Sequence, residues 1–132
     1  MGLCEVNLDD PKSVLFDDTG RSPAYFCQME PVGVDQKLIQ DLKRNAVRLG
    51  DRDLRLCLHH TPDAPFHEMI NLQHRHKYHP PHTHPANGES YHVLEGSLAV
   101  FIFDDAGQVT DSIVLKPDGM FLYRVPPVAF HF

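Results

Sequence analysis

The residues able to do chemistry are concentrated in His82-Thr83-His84-Pro85-Ala86-Asn87-Gly88-Glu89, with Gly96 six residues further on and His131 far downstream. Two histidines separated by one residue share a face of a β-strand, because side chains alternate with period two, so both imidazoles can reach one ion. Glu89 adds an oxygen donor after a short turn, and His131 can return from a distant strand to complete the set. Mixed nitrogen and oxygen donors suit a divalent first-row transition metal such as Fe, Mn, Ni or Zn better than Mg²⁺ or Ca²⁺. Three neutral imidazoles and one carboxylate leave open positions on a five- or six-coordinate ion, and a catalytic site needs open positions. Six of the ten histidines fall between His74 and His92, a clustering that favours metal binding over chance exposure.

Such ligands need rigid elements. Asp35 can cap a helix whose apolar residues Leu38, Ile39, Leu42, Ala46 and Leu49 recur at spacings of three and four, with Gly50 ending it. Ahead of it, Ser13 to Phe16 and Ala24 to Cys27 flank Asp17-Asp18-Thr19-Gly20 and read as a hairpin arm. From about residue 54 the pattern changes to short strands separated by breakers: Leu54 to His59, Pro65 to Gln73, Tyr78 to His84, Glu89 to Leu94, Ser97 to Phe103, Val109 to Leu115 and Met120 to Val125. This spacing predicts an all-β antiparallel sandwich or barrel with one N-terminal helix, divided as arm and helix over 1–50 and barrel over 51–132.

Length and composition set further bounds. A chain of 132 residues suffices for one compact core, and no apolar run approaches the roughly 20 residues that span a bilayer. Net charge is −6 and the Lys and Arg residues are scattered, which argues against nucleic acid as a partner. A cytoplasmic protein without membrane association is expected. Cys4, Cys27 and Cys57 show no disulfide or metal spacing and read as reduced thiols, Cys57 as a small buried strand residue.

Parity assigns the other polar residues. Tyr91 shares the face of Glu89 and either hydrogen-bonds a bound ligand or packs as a buried tyrosine. Arg55 and Arg124 are candidate handles for an anionic substrate, with a surface role as the competing reading. His92 falls out of phase and should point outward. His79 is a candidate outer partner of the ligands, His74 and His76 read as a turn, and His59 and His60 as hydrogen-bonded residues at a strand end.

The spacing His-x-His, four residues, Glu, six residues, Gly resembles the first motif of the cupin superfamily, in which those polar side chains bind metal inside a β-barrel. The second cupin motif is matched in part by Val125-Pro126-Pro127-Val128-Ala129-Phe130-His131, where Val128 replaces the usual glycine. His76 likewise stands where a glycine usually precedes the first motif. The likeness is closer to the WbuC-type cupin fold metalloproteins. It runs from the helix to the end through Arg55-Leu56, Leu58-His59, Asp63, Met69-Ile70-Asn71-Leu72, Pro81 to Pro85, Glu89 to Gly96, Phe103 to Gly107 and Val125-Pro126-Pro127, and leaves the first 33 residues unexplained.

That resemblance implies a double-stranded β-helix, or jelly roll, with His82, His84, Glu89 and His131 as metal ligands, and a link to surface-polysaccharide biosynthesis. The expected function is a metal-dependent isomerase, lyase or oxygenase acting on a small polar or carbohydrate-derived molecule. The alternatives are a non-catalytic sugar or metabolite binding module and a structural partner in a biosynthetic complex. Cupin barrels usually continue beyond the last histidine, so the edge left at His131 leads to an expected homodimer.

Overall fold

The computed structural model describes residues 5–84, 86–127 and 129–131. Cys4, Pro85 and Val128, named above, lie outside the described residues. Among the described residues there are nine strands and one helix, so the protein is mostly β-sheet with a single helix there. It divides into two compact units, one up to Lys77 and one from Tyr78.

In the first unit β1 (Val14–Asp17) and β2 (Ala24–Cys27) form the expected hairpin, held at its tip by Asp17, whose carboxylate accepts from the Thr19 backbone and hydroxyl at 2.8 and 2.7 Å. Helix α1 (Gln36–Arg48) starts where Asp35 Oδ1 accepts from the Leu38 N–H at 2.8 Å, which satisfies one of the unpaired donors of the first turn. It stops at Gly50, whose φ of 82° is the left-handed conformation that ends helices and that glycine adopts without strain. The helix packs Leu38, Leu42 and Ala46 onto Tyr25, Cys27, Leu54 and Leu56. These sheet residues alternate with Ala24, Phe26 and Cys57, which form a smaller buried cluster with Met69.

Strands β3 (Leu54–Cys57) and β4 (Met69–Leu72) complete a sheet of order β1-β2-β3-β4. The β2–β3 pairing is parallel, contrary to the expectation of antiparallel strands throughout. The physical reason is the helix between them, which supplies the long crossover that parallel neighbours need and two-residue hairpins cannot.

In the second unit β5 (Glu89–His92) pairs antiparallel with β8 (Leu122–Val125), while β6 (Leu98–Phe103) lies between β7 (Val109–Leu115) and β9 (Phe130–His131). Its core is Val93, Val100, Leu115 and Val125, bordered by Tyr91, Leu98, Ile102 and Tyr123. Along β5 and β8 the more buried residues alternate with exposed ones, as the period-two pattern requires. Among the described residues no sheet closes on itself, so the architecture seen is open sheets. The strand expected over 78–84 is also absent: only His82 makes an isolated bridge. Pro80 and Pro81 lack the N–H groups a ladder needs. No helix of the described residues is long and apolar enough to cross a membrane.

Candidate metal centre

The isolated bridge brings the first and last candidate ligands together. His82 N–H donates to the His131 carbonyl at 3.0 Å and His131 N–H returns the bond at 3.1 Å, which seats the two imidazoles side by side with ring centroids 4.6 Å apart. His84 lies on the other flank, 5.0 Å from the His82 ring and 5.6 Å from that of His131. Glu89 opens β5, and the β5–β8 ladder fixes it opposite Val125. Its carboxylate points back into the three rings: Oε2 stands 3.0 Å from His131 Nε2 and 3.2 Å from His84 Nε2.

Each of His82, His84, Glu89 and His131 offers one donor atom, and these atoms all lie within 4.8 Å of one another. Two donors about 2.1 Å from an ion stand about 3 Å apart at a right angle and about 4.2 Å apart when opposite, so the Glu89 contacts with His131 and His84 match a shared ion and the widest pair would draw in by about half an ångström on binding. Hydrogen-bond logic gives a second test of fit. His131, only 1% exposed, faces the Ala129 carbonyl with Nδ1 at 2.8 Å and the Glu89 carboxylate with Nε2. Both partners only accept. With Nδ1–H donating to the Ala129 carbonyl, Nε2 and Oε2 face each other across a gap that either a proton or a metal cation can bridge, so the geometry is compatible with an ion. His82 follows the same scheme, with Nδ1 against the Pro80 carbonyl at 3.3 Å and Nε2 left for an ion.

Tyr91 lies two residues along the strand from Glu89 and donates its phenol hydrogen to Glu89 Oε2 at 2.8 Å. Burial, reinforced by the carboxylate, pushes the phenol well above the usual tyrosine range, so it remains a donor. The Tyr91 hydroxyl is thus satisfied by a group that is itself a candidate ligand. Arg124 and Arg55 are the other candidate substrate handles. Arg124 pairs with Ser90 and stays exposed, on the sheet face opposite Glu89 and Tyr91. Arg55 belongs to the first unit, where it donates to the Ser22 carbonyl at 3.0 Å.

His92 is exposed and leans on Phe121. His76 has a φ of 67° in the turn after β4, and His74 is tied to Asp53 by its backbone and ring nitrogens. His59 and His60 are hydrogen-bonded to the Glu68 and Cys27 carbonyls. The sequence reading passed over His67, whose ring stacks on His59 at 4.2 Å. Extending the register that pairs Cys57 with Met69 by two residues on each strand gives this contact, so the signal was there once β3 and β4 were paired.

Fold and site together define a β-rich protein with one helix and a cluster of three histidines and a glutamate that could hold a metal ion. The chain belongs to the family described as Domain of unknown function (DUF6016), which matches residues 34–115. That span runs from the start of α1 to the end of β7 and contains His82, His84, Glu89 and Tyr91, while His131 lies beyond it. No curated protein and no solved structure matches the chain.

Proposed function

We propose that this protein is a metal-binding cupin of the WbuC type that holds one divalent Fe, Mn, Ni or Zn ion on His82, His84, Glu89 and His131. In this reading it is a cytoplasmic homodimeric enzyme, an isomerase, lyase or oxygenase, acting on a small polar or carbohydrate-derived substrate of surface-polysaccharide biosynthesis. The observation that carries the metal reading is the convergence of one donor atom from each of these four residues to within 4.8 Å, with the His131 imidazole buried against Glu89. When bound, the ion supplies a Lewis acid or an oxygen-activating centre. The chain's own residues hold the donors in register: the β5–β8 ladder fixes Glu89, the His82–His131 bridge fixes two rings, and the Ala129 and Pro80 carbonyls orient them.

The decisive experiment is elemental analysis of tag-free protein after supplementation with Fe²⁺, Mn²⁺, Ni²⁺ and Zn²⁺, alongside His82→Ala. Near-stoichiometric metal in the wild type and its loss in the variant are expected; an empty wild type refutes the proposal. One observation favours a non-catalytic binding module as the second reading. The Tyr91 phenol donates its hydrogen to Glu89, so that hydrogen is not presented to a substrate as an acid. Sugar binding by the loaded protein without turnover would select that reading.

A further inference from the structure

We infer that Tyr91 is the positioning residue of this centre, orienting the Glu89 carboxylate and thereby setting how tightly the cluster takes an ion. The inference rests on the metal reading above. Glutamate has three rotatable side-chain bonds, and a carboxylate near a strand end is free to swing into water unless something restrains it. Here one oxygen, Oε2, is within hydrogen-bond distance of the Tyr91 hydroxyl and of the ring nitrogens of His84 and His131. The Tyr91 contact is the one that persists when an ion replaces the protons between carboxylate and imidazoles, since a carboxylate oxygen accepts more than one bond.

Tyr91 is suited to this role because its own position is fixed. Its ring packs on the core of the second unit, stands opposite Tyr123 across the β5–β8 ladder, and meets the His131 ring edge-on with centroids 6.2 Å apart. Tyrosine has few rotatable bonds, so a packed ring presents its hydroxyl at a defined point. Two residues of strand span about 6.6 Å, and the length of the tyrosine side chain carries the hydroxyl back along the strand to the carboxylate. The bond to Glu89 also reserves Oε2 and restrains the carboxylate against rotating to offer both oxygens equally.

The test is a metal-affinity cycle on the tag-free full chain, with Zn²⁺ competed against a chromophoric chelator. Tyr91→Phe keeps the ring and deletes only the donor. Partners of ligating groups typically contribute about 10–100-fold in affinity, and a loss in that range is expected. The second arm places Tyr91→Phe in a Glu89→Ala background, where it should cause no further loss because the group it positions is gone. If Glu89→Ala unfolds by circular dichroism, Glu89→Gln replaces it, and the Tyr91→Phe penalty should shrink there. Wild-type affinity in Tyr91→Phe, or an undiminished penalty without the carboxylate, overturns the inference while leaving metal binding intact. Failure of the metal reading looks different: the wild type takes no Zn²⁺, or His82→Ala takes it equally well.

Discussion

Gly88 immediately precedes Glu89, and a methyl group there tests how firmly the ladder sets the site. A Cβ built on Gly88 lies 2.9 Å from the Val125 carbonyl oxygen, with Pro127 Cδ and Arg124 Nε at 3.5 and 3.6 Å. The first distance is shorter than Cβ atoms essentially ever show, and the obstacle is backbone that cannot rotate aside. Val125 is the ladder partner of Glu89, so Gly88→Ala pushes β5 and β8 apart where the carboxylate is anchored. Overpacking of this kind costs about 1–3 kcal/mol. Gly33→Ala is the control, because a Cβ there meets nothing within 4 Å; an alanine at such a site is neutral or stabilises by about 0.4–1 kcal/mol. Urea unfolding of the chelator-treated proteins, followed by Zn²⁺ titration, should show Gly88→Ala destabilised and weakened for metal while Gly33→Ala retains both. Equal behaviour of the two variants would refute the argument that Gly88 is required by close approach to β8.

Leu42→Ala removes a side chain 1% exposed between α1 and the sheet; unfolding in urea should report a loss of about 2–5 kcal/mol. The hydrogen bond from Arg52 holds the Asp18 carboxyl below its usual range. Because the folded value is the lower one, the pair's contribution is present at neutral pH and fades as pH falls through that value. Carboxyl NMR titration of Arg52→Ala should return Asp18 upward, and an unchanged value would discount the pair. Burial pushes the Cys27 thiol up to about 11 and raises Cys57 as well. Mapped labelling at pH 8 should therefore find both sluggish toward disulfide reagents in the native protein and prompt in urea.

Local chemistry made parts of the fold legible. The Asp35 cap, the three-four spacing and Gly50 gave α1 within a residue of its observed ends, and the hairpin arm and β7 were equally plain. The parallel partnership of β2 and β3 was not legible, since local periodicity carries no information about which strands become neighbours across a helix. Prolines 80 and 81 were visible, but their effect was underestimated: they leave His82 with a bridge in place of a strand. The candidate ligands followed from residue type and spacing. The bond from Tyr91 to Glu89 did not, because parity puts two side chains on one face without saying which atoms meet.

The pairing of His82 and Glu89 with β9 also bears on how the second unit folds. Glu89 and His131 stand 42 positions apart, and closing a flexible loop of that length costs roughly 3 kcal/mol of chain entropy beyond a constant. An ion held by both would act as a removable crosslink, shortening the loop as a disulfide does while answering to chelators. The full donor set comes into being only when β9 has docked on β6, so metal uptake in a refolding experiment reports the arrival of that strand.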